Sequence, residues 1–396
     1  MRTFAAPALL LAATAAFAVS PAFVLPFDAY RDQVWFHGYV NDKGPAWLLF
    51  DSAAGGSTIS RELTHRLGLE NLQFATATAG GAGPAVLQVP VLRGITFSCQ
   101  GLHWTPAQVP SIPHEGVDQF FGRRIDAILG KDLLLRYVVE VDSVARKVYL
   151  HEPASYTYQG KGLILPVRIA DGPVLEATVR IPPNRRLRCR LMIDTAASAG
   201  LIFTAPFAKE WRLPDAIRSL SERLMAERGG GIGGEEDNTV GRLESVEIGP
   251  FSIGRPVVRF ADARGGSLAR TDFDALIGMA LLRRFRIIFD YSRQRVILDP
   301  NASLSEAMEA DMSGLSLRSV GPALEHIVVA TVHQDTPASA ADLRPGDRIV
   351  SIEGRKPTSL WEVQRALMAG PDRIVRLGIQ RGGTQREVAL TLRRFV

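Results

Sequence analysis

Two acidic residues with matching surroundings are the part of this sequence best suited to do chemistry. Asp51 closes the apolar run Trp47-Leu-Leu-Phe and is followed by Ser52-Ala53-Ala54-Gly55-Gly56. Asp194 lies 143 residues later, closes the run Leu191-Met-Ile, and is followed by Thr195-Ala196-Ala197-Ser198-Ala199-Gly200. A strand-like run that ends in an acid, a hydroxyl residue and small residues is a turn in which a carboxylate sits close to backbone. If two such turns meet, their carboxylates cannot both ionise easily, so one pKa rises and the pair shares a proton. A pair of that kind can hold and polarise a water. One carboxylate takes the water's proton while the other carboxyl protonates a carbonyl oxygen, which is the chemistry of amide hydrolysis without metal or acyl-enzyme. Ser52 and Thr195 offer hydroxyls to brace the facing loop, and Ala54 and Ala197 leave room for close approach.

A second matched pair points to duplication. Asp126-Ala-Ile-Leu-Gly130 corresponds to Asp274-Ala-Leu-Ile-Gly278. Asp142 and Asp290 follow, each leading into an alternating strand, Arg146–Leu150 and Gln294–Leu298. Four matched features in order, at a spacing too long for a solenoid, predict two homologous lobes at about 25–155 and 156–305. Gly130 and Gly278 would let backbones cross near the site. Asp126 and Asp274 are read as structural, and Asp142 and Asp290 as turn acids.

The elements that must position these residues read as mostly β. Short runs rich in Val, Ile and Phe, broken by Gly and Pro, recur at Leu87–Thr96, Tyr137–Leu150, Leu163–Val179 and Arg284–Leu298. Short helices are expected at Arg61–Leu67 and Leu213–Glu227. The glycine-rich stretches Gly80–Gly83 and Gly229–Gly234 read either as hairpin tips over a cleft or as ordinary surface loops. Phe74 reads as core. Residues 300–312 form a polar connector. Beyond it, 313–396 changes pattern, with strands at Ile327–Val332 and Arg348–Ile352, a short helix at Pro337–Leu343 and an amphipathic helix at Ser359–Met368.

Composition narrows the classes. The chain has 396 residues, 46% hydrophobic and 22% charged, enough for two or three domains with real cores. Its net charge of +5 comes without a basic block, which disfavours nucleic-acid binding. Two cysteines and seven histidines show no metal-ligand spacing, so no metal or other cofactor is called for. Cys99 and Cys189 are either an export-compartment disulfide or two buried thiols. No Gly-x-Ser-x-Gly elbow supports a serine hydrolase. Residues 1–18, Ala- and Leu-rich and ending in Ala16-Phe17-Ala18, read as a signal peptide. The apolar run is short for a membrane span, although a retained anchor is the other reading. This predicts a periplasmic or secreted protein with no stable span after cleavage.

The two Asp motifs and the two apolar-pair-plus-glycine motifs resemble those of the pepsin-like and retroviral-type aspartic proteases, nearest to exported bacterial members, over about 25–300. That resemblance implies a two-lobed β acid-protease fold, Asp51 and Asp194 as the catalytic pair, and protein or peptide substrates. The family's glycine after the hydroxyl residue is Ala53 and Ala196 here. Many acid-active members have serine where this chain has Ala54 and Ala197. Losing that hydrogen bond implies raised pKa values and activity at weakly acidic to neutral pH. The stretch Thr336–Gly354, with Arg344-Pro-Gly-Asp347 and Glu353-Gly354, resembles a circularly permuted bacterial PDZ domain, a small α+β fold. This implies that Gly314-Leu315-Ser316-Leu317 receives a peptide's terminal carboxylate, with Val363 and Leu367 of the facing helix completing the groove. Two rival functions are a non-catalytic peptide-binding adaptor on this architecture and a hydrolase using the same pair on a non-protein amide.

Overall fold

The structure is a computed structural model that describes residues 20–182, 184–218 and 225–396. The leader expected over 1–18 lies outside the described residues. Among the described residues the protein is mainly β, with four sheets and short helices.

The first ten-stranded sheet runs Gln73–Ala79, Leu87–Leu92, Val109–Ile112, Thr58–Ser60, Ala127–Leu129, Lys43–Phe50, Gln33–Val40, Phe97–Cys99, Leu102–Trp104, with Asp28–Tyr30 paired to Gln33–Val40. The second runs Met225–Gly231, Gly234–Arg242, Val257–Ala261, Leu201–Phe203, Ala275–Ile277, Arg185–Ile193, Pro173–Ile181, Ser245–Ile248, Phe251–Gly254, with Arg168–Ile169 paired to Pro173–Ile181. Lys43–Phe50 and Arg185–Ile193 are interior strands of these sheets. Their last residues are buried on both faces, which explains unbroken apolar runs where alternation would mark a half-exposed strand.

A six-stranded sheet joins the two halves of this region. Its order is Phe23–Pro26, Lys147–His151, Val138–Asp142, Phe285–Asp290, Arg295–Pro300, Leu163–Pro166. At its centre Val139 pairs with Phe289 and Val141 with Ile287, antiparallel. One continuous hydrophobic core runs from Phe36, Leu48 and Phe97 through Val139 and Phe289 to Ile193, Phe203 and Phe260. A separate core, including Leu317, Ile349, Val363 and Leu377, belongs to a five-stranded sheet beginning at Leu315–Val320.

The helix Arg61–Leu67 forms as expected. Ser60 Oγ accepts from Leu63 N–H, and Gly68 closes the helix in the left-handed region at φ 65°. The helix expected over Leu213–Glu227 is shorter. Its described part spans Leu213–Arg218, residues 219–224 lie outside the described residues, and Met225–Gly231 is a strand paired with Gly234–Arg242. The ladder hydrogen bonds of that hairpin override the poor strand propensity of Gly229–Gly231. Phe74 is not core. It is 41% exposed, and the Arg93 guanidinium lies 3.6 Å above its ring. Cys99 and Cys189 are free, buried thiols in different ten-stranded sheets, and desolvation raises the pKa of each.

Candidate active site

Asp51 and Asp194 leave their strands in the same way. The Asp51 N–H donates to Leu129 O at 3.0 Å, and the Asp194 N–H donates to Ile277 O at 3.0 Å. Asp51 Oδ1 accepts from the N–H groups of Ala53 (2.8 Å) and Ala54 (3.1 Å). Asp194 Oδ1 accepts from Ala196 and Ala197, both at 2.8 Å. None of these four alanines has positive φ. The turn therefore forms without glycine, and the methyl groups at 53 and 196 leave the carboxylate's backbone donors in place.

The two loops are tied to each other. Ser52 Oγ donates to Ile193 O at 2.7 Å and accepts from the Thr195 N–H at 3.2 Å. Thr195 Oγ1 donates to Phe50 O at 2.9 Å and accepts from the Ser52 N–H at 3.0 Å. Both side chains are wholly buried. In so dry a setting an unmade hydrogen bond costs about 1–3 kcal/mol. Thr195→Val strands Phe50 O and the Ser52 N–H, so it should lower stability by about 2–4 kcal/mol in urea unfolding, whereas Thr195→Ser should recover most of that loss.

Gly130 and Gly278 lie directly under these loops. The Lys131 N–H donates to Ala54 O at 3.0 Å and the Met279 N–H to Ala197 O at 2.8 Å. Asp126 and Asp274 hold the strands behind. Asp126 accepts from the Trp47 N–H (2.8 Å) and Arg66 (2.8 Å), and Asp274 accepts from the Arg190 N–H (2.7 Å) and its guanidinium (2.6 Å). Asp142 caps its turn through the N–H groups of Val144 and Ala145, while Asp290 is fully buried beside Arg293 and Arg295.

Both Asp51 and Asp194 line a cleft of about 1540 Å³. Burial raises the carboxyl pKa of each, and the charge of Asp194 raises that of Asp51 further; the backbone N–H donors oppose this only in part. The pair thus keeps a proton at pH values where a free aspartate has lost it.

The glycine-rich stretches meet above this cleft. The Gly83 N–H donates to Ile232 O at 2.9 Å and the Ala85 N–H to Gly233 O at 3.0 Å. The approach is close enough that a Cβ on Gly83 would lie 2.2 Å from Gly234 N. Sequence reasoning missed other residues of the cleft wall, among them Arg31, Glu227, Arg259 and Glu236. These stand outside any motif, and only the closing of the hairpins brings them together.

Leu315, Ser316, Leu317 and Leu367 line the same cleft. Gly314 and Val363 do not; Val363 is wholly buried in the core of its own sheet. Gly314 has φ 82°, and a Cβ there would strike the Thr336 side chain at 2.3 Å. Its N–H donates to Asp311 Oδ1 at 2.7 Å, and the Leu315 N–H donates to Ser313 Oγ at 3.1 Å, so this loop already has internal acceptors. The edge strand Leu315–Val320 packs beside the helix Glu115–Phe121, with the Arg318 guanidinium 4.3 Å above the Phe120 ring and 2.7 Å from Glu235.

Among the described residues no helix is long and apolar enough to cross a membrane. The aspartyl protease family profile matches residues 36–133, which include Asp51, and the PDZ domain profile matches residues 308–392. No curated protein matches the chain. Among solved structures, the HtrA3 PDZ domain bound to a phage-derived ligand is similar at 22% identity and TM-score 0.20, covering 22% of this chain and 88% of that one. The photosystem II D1 C-terminal processing protease is similar at 28% identity and TM-score 0.21, covering 22% of this chain and 24% of that one. The chain therefore carries an N-terminal aspartyl-protease-like domain and a C-terminal PDZ domain, the latter a module able to bind peptide ligands.

Proposed function

We propose that this protein is an exported aspartic endopeptidase, periplasmic or secreted, with lobes at 25–155 and 156–305 and a PDZ domain at 313–396. Asp51 and Asp194 are its catalytic pair. The observation that carries this reading is the reciprocal set of hydrogen bonds between Ser52 and Thr195, which ties the two aspartate loops together on one cleft. Support for duplicated lobes comes from the two ten-stranded sheets, whose strand orders correspond one for one, and from the six-stranded sheet, to which each half contributes three strands.

In this mechanism the singly protonated pair holds a water between its carboxyl groups. One carboxylate removes a proton as the water oxygen attacks the scissile carbonyl carbon, and the partner carboxyl protonates the carbonyl oxygen. The tetrahedral diol then collapses: the carboxyl that took the water's proton gives it to the departing nitrogen, the other carboxylate takes back a proton from a diol hydroxyl, the C–N bond breaks, and the pair ends singly protonated as it began. The protons belong to the pair as a unit. A cleft bounded by two hairpins suits an extended peptide, and the adjoining PDZ strand and helix suit a substrate's chain end or a tethering partner.

Activity falls on the acid side as the pair gains its second proton and on the alkaline side as it loses the last. Because both carboxyl pKa values are raised, the active window moves up from the range of unperturbed aspartates. Cleavage of unfolded casein across pH 3–8 should peak at weakly acidic to neutral pH and be blocked by a peptide carrying a hydroxyl-bearing tetrahedral carbon in place of the scissile carbonyl. A maximum below about pH 4 would overturn this assignment of the pair's protonation.

A further inference from the structure

The hairpin that closes the second side of the cleft carries several acids, and all but one are paired. Glu227 is held by Arg259 (2.9 Å), Glu235 by Arg318 (2.7 Å) and Asp237 by Arg228 (3.0 Å). Glu236 has no such partner among the described residues. Its side chain points to the opposite face from Glu235 and Asp237 and lines the cleft. It is only 7% exposed, and its Oε1 is buried without a hydrogen-bond partner. Asn238, two residues along the same face and 8% exposed, also lines the cleft with its Oδ1 buried and unpartnered.

Across the hairpin from Glu236 is Gly229. The Asn238 amide lies over it, its Nδ2 3.0 Å from where a Cβ would stand and donating to the Glu236 backbone carbonyl at 3.4 Å, which leaves Oδ1 unpartnered. The result is two buried acceptor atoms on one face of the hairpin, both on residues that line the cleft, and neither is reached by a donor among the described residues. Burial alone pushes the Glu236 carboxyl up to about 7, with no neighbouring charge contributing. Such acceptors are satisfied by a group that only donates. Lysine offers three donors and arginine five, and neither accepts. An apolar side chain would leave both acceptors unpaired, and an acidic one would be repelled.

We propose that Glu236 and Asn238 form a subsite that takes a lysine or arginine side chain of the substrate peptide. This rests on the endopeptidase reading above. The test is a peptide series in which each position around a cleaved bond carries Lys, Arg, Gln, Leu or Glu in turn. The wild-type protein is compared with Glu236→Gln and Asn238→Leu by kcat/KM. The same peptides are titrated calorimetrically into Asp51→Asn protein with and without Glu236→Gln. At one position Lys and Arg should outperform Gln by about tenfold, and that ratio should shrink to within about twofold in Glu236→Gln and fall several-fold in Asn238→Leu. If Glu236→Gln does not fold, Asn238→Leu carries the comparison. The absence of a basic preference at every position, or a ratio that both variants leave intact, overturns the subsite while leaving the endopeptidase standing. If the wild-type protein cleaves nothing, the endopeptidase reading has failed. The calorimetric series then decides the subsite alone: a lysine preference lost with Glu236→Gln supports it, and no such preference overturns it.

Discussion

Asp51→Asn and, separately, Asp194→Asn should each reduce kcat/KM for a cleaved peptide by about a thousandfold or more, the upper part of the range for positioned acid–base groups. The fold should survive. An asparagine Oδ1 can still accept from the Ala53 and Ala54 N–H groups that now bond Asp51 Oδ1 at 2.8 and 3.1 Å. What changes is the dependence of stability on pH. A carboxyl whose pKa is raised on folding favours the folded state most below the unfolded value of about 3.9, and that advantage is lost as pH climbs through the folded value. The Asp51 carboxyl is raised by burial and by Asp194, so the wild-type protein should lose stability between mildly acidic and neutral pH or just above. Asp51→Asn should flatten that slope and be no less stable at the upper end. Thermal unfolding across pH, measured beside peptide cleavage, reads both effects. A folded Asp51→Asn protein that still cleaves at the wild-type rate would remove the pair from the mechanism.

Gly278→Ala should cost about 3 kcal/mol of stability and abolish most of the activity that remains measurable in the folded fraction. The added Cβ would lie 2.5 Å from both Ala197 O and Ala199 O, which are backbone atoms of the Asp194 loop and cannot turn aside as a side chain could. Gly130→Ala meets the same obstacle on the other loop, with Gly56 C and O at 2.4 Å. Relief requires moving the loop that carries the aspartate, so stability and catalysis should fall together. Gly254→Ala is the control, since a Cβ there meets nothing within 4 Å. Urea unfolding and peptide cleavage should separate Gly278→Ala and Gly130→Ala from the control. A Gly278→Ala protein as stable and active as Gly254→Ala would show that the loop yields without cost.

Features governed by neighbours in the chain were legible from residue type and spacing. Helix Arg61–Leu67 needed only Ser60 to cap it and Gly68 to end it. Each aspartate turn is closed by N–H groups two and three residues ahead, within reach of a motif. The separate pattern beyond 312 forms its own core. Where the outcome depends on a partner strand or a facing side chain, local pattern misled. Glu227 looked like the end of a helix and Gly229–Gly231 like a hairpin tip or a surface loop, yet both lie in a strand whose ladder partners are Gly234–Asn238. Phe74 looked like core, yet it lies exposed under Arg93.

From its residues alone this chain determined which two acids stand at the ends of buried strands, and that each is followed by a hydroxyl and small residues able to form a tight turn. Those are consequences of short-range geometry and of water's exclusion from apolar runs. Only the tertiary structure decided that Ser52 grips Ile193 and Thr195 grips Phe50, that the glycine-rich tips touch across the cleft, and that Glu236 faces that cleft without a cation among the described residues. Such contacts join segments well over a hundred residues apart or depend on which acid an arginine happens to reach. Sequence periodicity carries no information about which distant partner fills a given space, because that is settled by the packing of whole sheets against one another.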